Sequence, residues 1–184
     1  MEHSEMVALI RGGVGAPGGV WADIGAGTGN FTWALRELLG PAGTIHAIDR
    51  DGKAIASQRA RLANAPPGAT IVPRQADATR PLGLAALDGV LAANLLHFLP
   101  DQPAVLRQLA GYLRPGGRLL VVEYDLAAPL RFVPYPLPFA ALASLTAAAG
   151  LGQPALVGRR VSPSSGIAMY AAVAPSPRLG APAA

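Results

Sequence analysis

Residues 20–32 read VWADIGAGTGNFT: an apolar strand, an acidic residue, alternating glycines and the start of a helix. The acidic and glycine positions are Asp23, Gly25, Gly27 and Gly29. Glycine permits a tight turn and lets a ligand approach bare backbone where a helix begins. The dinucleotide-binding pattern G-x-G-x-x-G would need glycine at position 30, where the chain has Asn30. The segment therefore predicts a ligand-binding turn and argues against a bound pyrophosphate.

On either side of this turn, apolar runs alternate with amphipathic segments of helix length, which is typical of an α/β domain with a parallel sheet. The predicted strands are residues 19–25, 44–49, 70–77, a strand opening at 87, 118–125, 155–161 and 167–173. The predicted helices are residues 30–39, 52–63, 101–113 and 139–149. Only the turn SPSSG separates the last two strands, and a parallel crossover needs about a dozen residues. They therefore form a hairpin, and the sheet is mostly parallel with an antiparallel C-terminal strand.

Length and composition indicate one domain. The 184 residues are 51% hydrophobic and 14% charged, with no apolar run as long as the ~18 residues that a membrane helix needs. We expect a domain over residues 1–174 and a disordered, Pro- and Ala-rich tail over residues 175–184. The acidic start and its short apolar run do not resemble an export signal, so we expect a cytoplasmic protein.

Charge and cysteine content exclude several functions. The net charge is +4, but the 15 basic residues are scattered, whereas nucleic-acid binders concentrate them on one face. This argues against a nucleic-acid partner. The chain has no cysteine, which excludes disulfides, thiolate metal sites and cysteine nucleophiles, and no Asp, His and Asn cluster indicates a metal site.

Three polar residues follow predicted strands at the edge where open α/β sheets bind ligands. Asp49 ends the second strand, Asp77 the third, and Asn94 follows the fourth. With the glycine-rich turn and the run LRPGGRLLVVEYD at residues 113–125, they resemble the class I S-adenosylmethionine-dependent methyltransferases, as a small single-domain member of type 11 or 25. The resemblance covers roughly residues 19–173. It implies a Rossmann-like three-layer sandwich with a seven-stranded sheet in the order 3-2-1-4-5-7-6.

The resemblance also implies S-adenosylmethionine as the cofactor and a role for each matched residue. Asp49 would accept hydrogen bonds from the ribose hydroxyls and Asp77 one from the adenine amino group, with the Ala78 amide reaching the ring. Residues 93–98, ANLLHF, would form the loop below the methionine moiety. The implied cofactor-binding residues are Asp23, Gly25, Ala26, Gly27, Gly29, Asp49, Arg50, Asp77, Ala78 and Asn94.

Catalytic residues are harder to identify, because methyl transfer gains most from bringing the nucleophile and the methyl group together in a dry pocket. A base is needed only where the acceptor must lose a proton. The candidates are His97, which follows the fourth strand, Glu123 at the end of the fifth strand, and Tyr135. A packed or helix-initiating histidine is the alternative at position 97. No metal is expected.

The acceptor is expected to be a small molecule. After the fourth strand the chain lacks the Asn/Asp-Pro-Pro-aromatic motif of amino methyltransferases that act on adenine or glutamine.

Only about 20 residues precede the first strand, so cover for the substrate must come from residues 1–11 and from the loop 126–138. That loop carries Phe132 and Tyr135 among prolines, and it forms either an acceptor wall or a strap over the core. A homodimer partner or a large substrate would complete an open pocket.

The sequence therefore predicts methyl transfer from S-adenosylmethionine to a small or medium organic acceptor, at oxygen, nitrogen or carbon. One rival is a cofactor-binding module without its own chemistry, or one that depends on a partner. The other is a nicotinamide-dependent oxidoreductase, favoured by the acid at the end of the second strand but opposed by Asn30 and the terminal hairpin.

Overall fold

A central sheet organises the protein in the computed structural model, which describes residues 1–178. The strands are β1 Gly19–Ile24, β2 Gly43–Asp49, β3 Thr70–Gln75, β4 Leu87–Ala93, β5 Leu113–Tyr124, β6 Ala155–Val161 and β7 Ala168–Pro175. The helices are α1 His3–Val14, α2 Asn30–Leu39, α3 Gly52–Leu62, α4 Gln102–Gly111 and α5 Phe139–Ala148, and a single 3-10 turn spans Leu96–Phe98.

The sheet has seven strands in the order β3-β2-β1-β4-β5-β7-β6. Strands β1 to β5 pair in parallel, and β7 runs antiparallel to both β5 and β6. This arrangement confirms the predicted order and the C-terminal hairpin. Because β1 and β4 are neighbours although β2 and β3 lie between them in the chain, the strand order reverses beside β1. That reversal opens a crevice at the carboxyl ends of the strands.

Helices cover both faces of the sheet. Helices α1 and α2 pack on one face, where Ile10 and Leu35 are fully buried, and Leu62 of α3 joins the same apolar layer. Helices α4 and α5 cover the other face through residues such as Leu106 and Leu142. The result is the three-layer sandwich that the resemblance implied.

Local signals in the sequence account for most boundaries. The Asp101 carboxylate accepts a hydrogen bond from the Ala104 amide at 3.0 Å and caps α4, whose first turn contains Pro103. Strand β3 pairs only with β2, and its Pro73 is tolerated because the strand lies at the edge of the sheet. The predicted edge strand and cap are therefore both present.

Two elements differ from the sequence prediction. Helix α1 was not predicted, although Glu2 and Glu5 form a reciprocal capping box at its start. Strand β5 begins at Leu113, five residues before the predicted start at Arg118. In its early part Leu113 pairs with Leu87 of β4, and an irregularity in register follows. Gly116 and Gly117, which are typical of a turn, therefore lie inside an irregular part of the strand.

The C-terminal segment is ordered further than expected. Strand β7 runs to Pro175, the Ser176 amide donates to the Gly117 carbonyl, and the Gly116 amide donates to the Pro177 carbonyl. The predicted disordered tail therefore does not begin at residue 175, and residues 179–184 lie outside the described residues. Within residues 1–178, no helix has both the length and the hydropathy that a membrane crossing requires.

Candidate functional site

Two cavities meet at the carboxyl ends of β1, β2 and β4, where the strand order reverses. Both are lined by Gly25, Gly27, Ala93 and Asn94. The first, the β2-side cavity, has a volume of about 350 Å³. Its other lining residues are Ile48, Asp49, Arg50, Ala76, Asp77, Ala78, Leu95, Phe98 and Leu99.

The second, the α1-side cavity, has a volume of about 320 Å³ and lies toward α1 and the β6–β7 hairpin. Its other lining residues are Met1, Met6, Asp23, Ala26, Thr28, Asn30, Phe31, Tyr124, Ser162, Pro163, Ser164 and Met169. Each cavity is within the size range of small-molecule sites. Together they form a two-part crevice divided by the glycine-rich turn and the loop after β4.

The glycine-rich turn presents bare backbone to this crevice. Gly27 has a φ of 53°, and a Cβ built on it would meet no heavy atom within 4 Å. A side chain there would therefore occupy open cavity space. Gly25, by contrast, is crowded, because its Cβ would lie 2.8 Å from the Leu95 side chain. Gly29 begins α2 as its N-cap, lines neither cavity and packs against Gln58.

Two side chains hold the peptide groups of Gly27. The Asp49 carboxylate accepts from the Gly27 amide at 2.7 Å and from the Asp51 amide at 2.8 Å. The Gln58 side-chain amide donates to the Gly27 carbonyl at 2.7 Å. Asp49 was predicted as a ligand residue, and the structure adds that it fixes the turn. Gln58 was not predicted, since its role depends on which face of α3 meets the turn.

Asp23 lies beneath the turn and is 1% exposed. The Thr32 hydroxyl donates to its carboxylate at 2.6 Å. Burial raises the pKa of Asp23 to about 7, helped by the nearby negative charge of Asp49 and opposed by the Thr32 hydrogen bond. Asp23 therefore contributes a carboxyl group that is partly protonated near neutral pH at the floor of the α1-side cavity.

The acidic residue after β3 also lines the β2-side cavity. Asp77 is exposed, and its carboxylate accepts from the Thr79 amide at 2.9 Å and from the Thr79 hydroxyl at 2.8 Å. These hydrogen bonds lower the pKa of Asp77, so it is ionised. Ala78 and Arg50 line the same cavity, as the sequence predicted for a shared site.

Asn94 stands where the two cavities meet. Its φ of 53° is unusual for a residue other than glycine, and its amide donates to the Val122 carbonyl at 2.8 Å. Its side-chain oxygen is buried without a hydrogen-bond partner among the described residues. A buried acceptor of this kind costs free energy unless a ligand satisfies it.

His97 and Glu123 form a buried pair beside the crevice. The His97 Nδ1 lies 2.5 Å from a Glu123 carboxylate oxygen, and the two residues are 2% and 0% exposed. Glu123 also accepts from the backbone amides of Leu96, at 2.8 Å, and His97. Neither residue is among those that line the two cavities. Through these hydrogen bonds the pair holds the loop after β4 in place.

Tyr135 and the loop 126–138 also lie away from both cavities. Tyr135 is 44% exposed, and its backbone amide donates to the His97 carbonyl at 3.0 Å. No residue of the loop lines either cavity, although Phe132 packs edge-on against Tyr124, which does. The wall expected from this loop is supplied instead by α1 and the β6–β7 hairpin. Of the proposed cover, residues 1–11 do reach the crevice, through Met1 and Met6.

Local sequence patterns did not indicate the other residues that line the α1-side cavity. Met6 belongs to a helix that was not predicted, and SPSSG was interpreted only as a turn. Thr28 and Asn30 also line this cavity, and their position next to the predicted glycines could have suggested them.

Comparisons with known proteins agree with this geometry. A family model described as a methyltransferase domain, of type 12, matches residues 22–119, which include the end of β1, all of β2 to β4 and the start of β5. The ubiquinone/menaquinone biosynthesis C-methyltransferase UbiE of Hahella chejuensis is 35% identical over 104 residues, 56% of this chain. The match covers 42% of that protein, so the chain spans about two fifths of this curated relative.

Solved structures show the same fold at lower sequence identity. The 1,6-didemethyltoxoflavin-N1-methyltransferase of Burkholderia thailandensis, with S-adenosylhomocysteine bound, is 23% identical with a TM-score of 0.73, over 95% of this chain and 78% of that chain. The [4+2]-cyclase SpnF is 16% identical with a TM-score of 0.75, over 96% and 82% of the two chains. The fold therefore accommodates more than one chemistry. With the family match over more than half of its length, the chain belongs to the class I S-adenosylmethionine-dependent methyltransferases.

Proposed function

We propose that this chain binds S-adenosylmethionine across the two cavities and transfers its methyl group to a small or medium organic acceptor, at carbon, nitrogen or oxygen. The observation that carries the proposal is the shared floor of the crevice. Gly27 offers open space to a ligand there, and Asn94 offers a buried oxygen without a partner. A ligand that spans both cavities would meet both features.

The β2-side cavity suits the adenosine part of the cofactor. Each oxygen of the Asp49 carboxylate already accepts one backbone amide and retains a lone pair, so the carboxylate has capacity for the ribose hydroxyls. Asp77 and Ala78 line this cavity and would receive the adenine ring. Ile48 and Leu99 supply the apolar surface that a planar base needs.

The α1-side cavity suits the methionine part. Asp23, Gly25 and Asn94 lie at its inner end, and Asn94 has an unsatisfied acceptor for the ammonium group. When bound, S-adenosylmethionine would supply an electrophilic methyl group on a sulfonium leaving group. A proton displaced from the acceptor passes to solvent.

The contribution of the protein is position and exclusion of water. Well-oriented reactants gain roughly 7–11 kcal/mol over the same reaction in solution, and a base is needed only where the acceptor must lose a proton. This agrees with the placement of His97 and Glu123, which brace the loop behind the crevice. We assign both as positioning residues. Tyr135 stays a prediction from the sequence, without a contact to the crevice to support it.

Formation of S-adenosylhomocysteine in the presence of a panel of small acceptors tests this proposal. We expect turnover by the wild-type chain and strongly reduced turnover by Asp49→Ala at a cofactor concentration below its dissociation constant. Tight binding of S-adenosylmethionine without turnover on any acceptor would favour a non-catalytic or partner-dependent module. Binding of a nicotinamide dinucleotide in place of S-adenosylmethionine would favour the oxidoreductase.

A further inference from the structure

The outer wall of the α1-side cavity is made by two segments that are remote in sequence. Met1 and Met6 come from the N-terminal region, and Ser162, Pro163 and Ser164 come from the β6–β7 hairpin. The Arg160 guanidinium and the Glu5 carboxylate join the segments at 2.7 Å. None of the five wall residues is needed for the cofactor contacts described above. The wall is therefore free to recognise a second molecule.

The two serines form a polar unit on this wall. Their hydroxyl oxygens are 3.2 Å apart, and Ser162 is 3% exposed. The Ser162 backbone is fixed, because its amide donates to Ile167 and its carbonyl accepts from Gly166. Whichever hydroxyl donates within the pair, the other keeps its hydrogen free, and lone pairs remain on both. The pair can therefore donate a hydrogen bond to a ligand and accept one from it.

The charged side chains around the α1-side cavity leave the serine pair as the main hydrogen-bonding group of the wall. Among residues 1–178, no lysine, arginine or histidine lines the cavity, and the nearby Arg160 is already paired with Glu5. The ionisable groups of its lining are the α-amino group of Met1 and the carboxyl group of Asp23, whose pKa burial raises to about 7. Asp23 lies beneath the glycine-rich turn, away from the outer wall.

Apolar groups complete the cavity. Met6, Met169 and Phe31 lie along it and are each less than a tenth exposed. Methionine side chains adapt to a ligand surface and make favourable contacts with rings. The volume of about 320 Å³ must also hold the amino-acid end of the cofactor, so only a small molecule fits beside it.

We propose that the acceptor is a small molecule whose hydroxyl, carbonyl or ring nitrogen is hydrogen-bonded by the Ser162–Ser164 pair. This rests on the proposed function, because it places the acceptor beside the methionine end of S-adenosylmethionine. It goes beyond that function because it assigns specificity for the acceptor to the serine pair.

The test uses matched pairs of small aromatic and heterocyclic compounds that differ only in carrying a carboxamide or a methyl group at one ring position. Binding of each compound to the full chain is measured by ligand-observed NMR, with and without S-adenosylhomocysteine, and turnover is measured in parallel. We expect the carboxamide members to bind about tenfold more tightly, because only they can form a hydrogen bond with the serine pair. Ser162→Ala should weaken their binding about tenfold and leave the S-adenosylmethionine dissociation constant unchanged.

Ser165→Ala is the matched control, because Ser165 belongs to the same turn but does not line the cavity. It should bind the compounds as the wild type does. Equal or tighter binding of the methyl members, or no effect of Ser162→Ala beyond that of Ser165→Ala, would overturn the proposal. If S-adenosylmethionine itself does not bind while the carboxamides still show the Ser162 effect, the proposed function fails and the assignment of the cavity survives.

Discussion

At the scale of single residues, the turn at Gly27 depends on side chains from two other elements. Asp49 at the end of β2 holds its amide, and Gln58 on α3 holds its carbonyl. A turn that is already fixed before the ligand arrives loses less conformational entropy on binding. Asp49, which contacts the ribose in our proposal, therefore also shapes the binding surface.

Asp49→Ala is expected to weaken S-adenosylmethionine binding by ~1.5–3 kcal/mol, because the ribose hydroxyls lose a charged acceptor and the Gly27 amide loses its partner. Isothermal titration calorimetry measures the change. Asp51→Ala is the control, since Asp51 caps α3 through the Lys53 amide but lines neither cavity. An affinity within twofold of the wild type for Asp49→Ala, in a protein with normal thermal unfolding, would remove Asp49 from the site.

Asp23 gives the stability of the protein a characteristic pH dependence. Because burial raises the pKa of Asp23 from 3.8 to about 7, the folded state retains a proton that the unfolded state releases above about pH 4. The contribution of this group to the unfolding free energy is therefore full below about pH 4 and is lost as the pH rises to about 7. Asp23→Asn should abolish that contribution.

Urea unfolding of the wild type and of Asp23→Asn, at several pH values from 4 to 8, measures the effect. The difference between the two proteins isolates Asp23, since the other titrating groups occur in both. We expect the wild type to lose stability relative to the variant as the pH rises, by about a few kcal/mol. A difference that is independent of pH would show that Asp23 has an ordinary pKa.

At the scale of elements, α1 acts as the cover of the crevice. Glu5 accepts from the Glu2 amide and pairs with Arg160 of β6, so a single carboxylate caps the helix and ties it to the sheet. The pair of His3 and Glu37 also joins α1 to α2, but both side chains are about half exposed. Exposed ion pairs contribute little to stability.

Glu5→Ala should therefore loosen α1, whereas the matched variant Glu37→Ala should not. Hydrogen-deuterium exchange of the α1 amides is the measurement, and we expect faster exchange throughout the helix in Glu5→Ala alone. The Michaelis constant for the acceptor should rise more than the dissociation constant of the cofactor, since α1 lines only the α1-side cavity. Equal exchange in both variants would show that α1 is held by its apolar packing alone.

The His97–Glu123 pair supports the loop after β4 and is tested by His97→Ala. Removing one member of a buried pair typically costs about 3–5 kcal/mol, so the midpoint of thermal unfolding should fall markedly. Arg114→Ala, which breaks the more exposed pair with Asp88, is the control and should cost below about 1 kcal/mol. If His97 were the general base, the variant would also lose one limb of the pH profile of turnover. We expect that profile to keep its shape.

At the scale of the whole molecule, the sequence predicted the crevice residues whose positions depend on strand order. It did not predict those that are brought together by packing between segments distant in the chain. Asp49, Asp77 and Asn94 line the crevice because each follows a parallel strand, and such strand ends converge at one edge. Met6 and Ser162 lie on one wall only because α1 packs against β6, and the Glu5–Arg160 contact joins residues 155 positions apart. No local pattern reports such a contact. The aromatic loop at residues 126–138 was interpreted as either an acceptor wall or a strap over the core, and local sequence could not decide between them, because tertiary packing sets which residues line the crevice.

The fold alone does not determine the chemistry, as the likeness to a [4+2]-cyclase shows. The methyl transfer that we propose for this chain rests on the crevice that passes over Gly27 and joins the two cavities. The homodimer considered from the sequence stays a prediction, but α1 and the hairpin already provide a cover within one chain.

The central claim is that S-adenosylmethionine lies against Gly27, and calorimetric titration of Gly27→Val beside Gly83→Val tests it. Both glycines have a positive φ, of 53° and 64°, and neither would bring a Cβ within 4 Å of another atom, so the backbone strain is matched. Only Gly27 lines the crevice. We expect one S-adenosylmethionine bound per chain in the wild type and in Gly83→Val, and none in a folded Gly27→Val. Binding to Gly27→Val with the affinity of Gly83→Val would contradict the account.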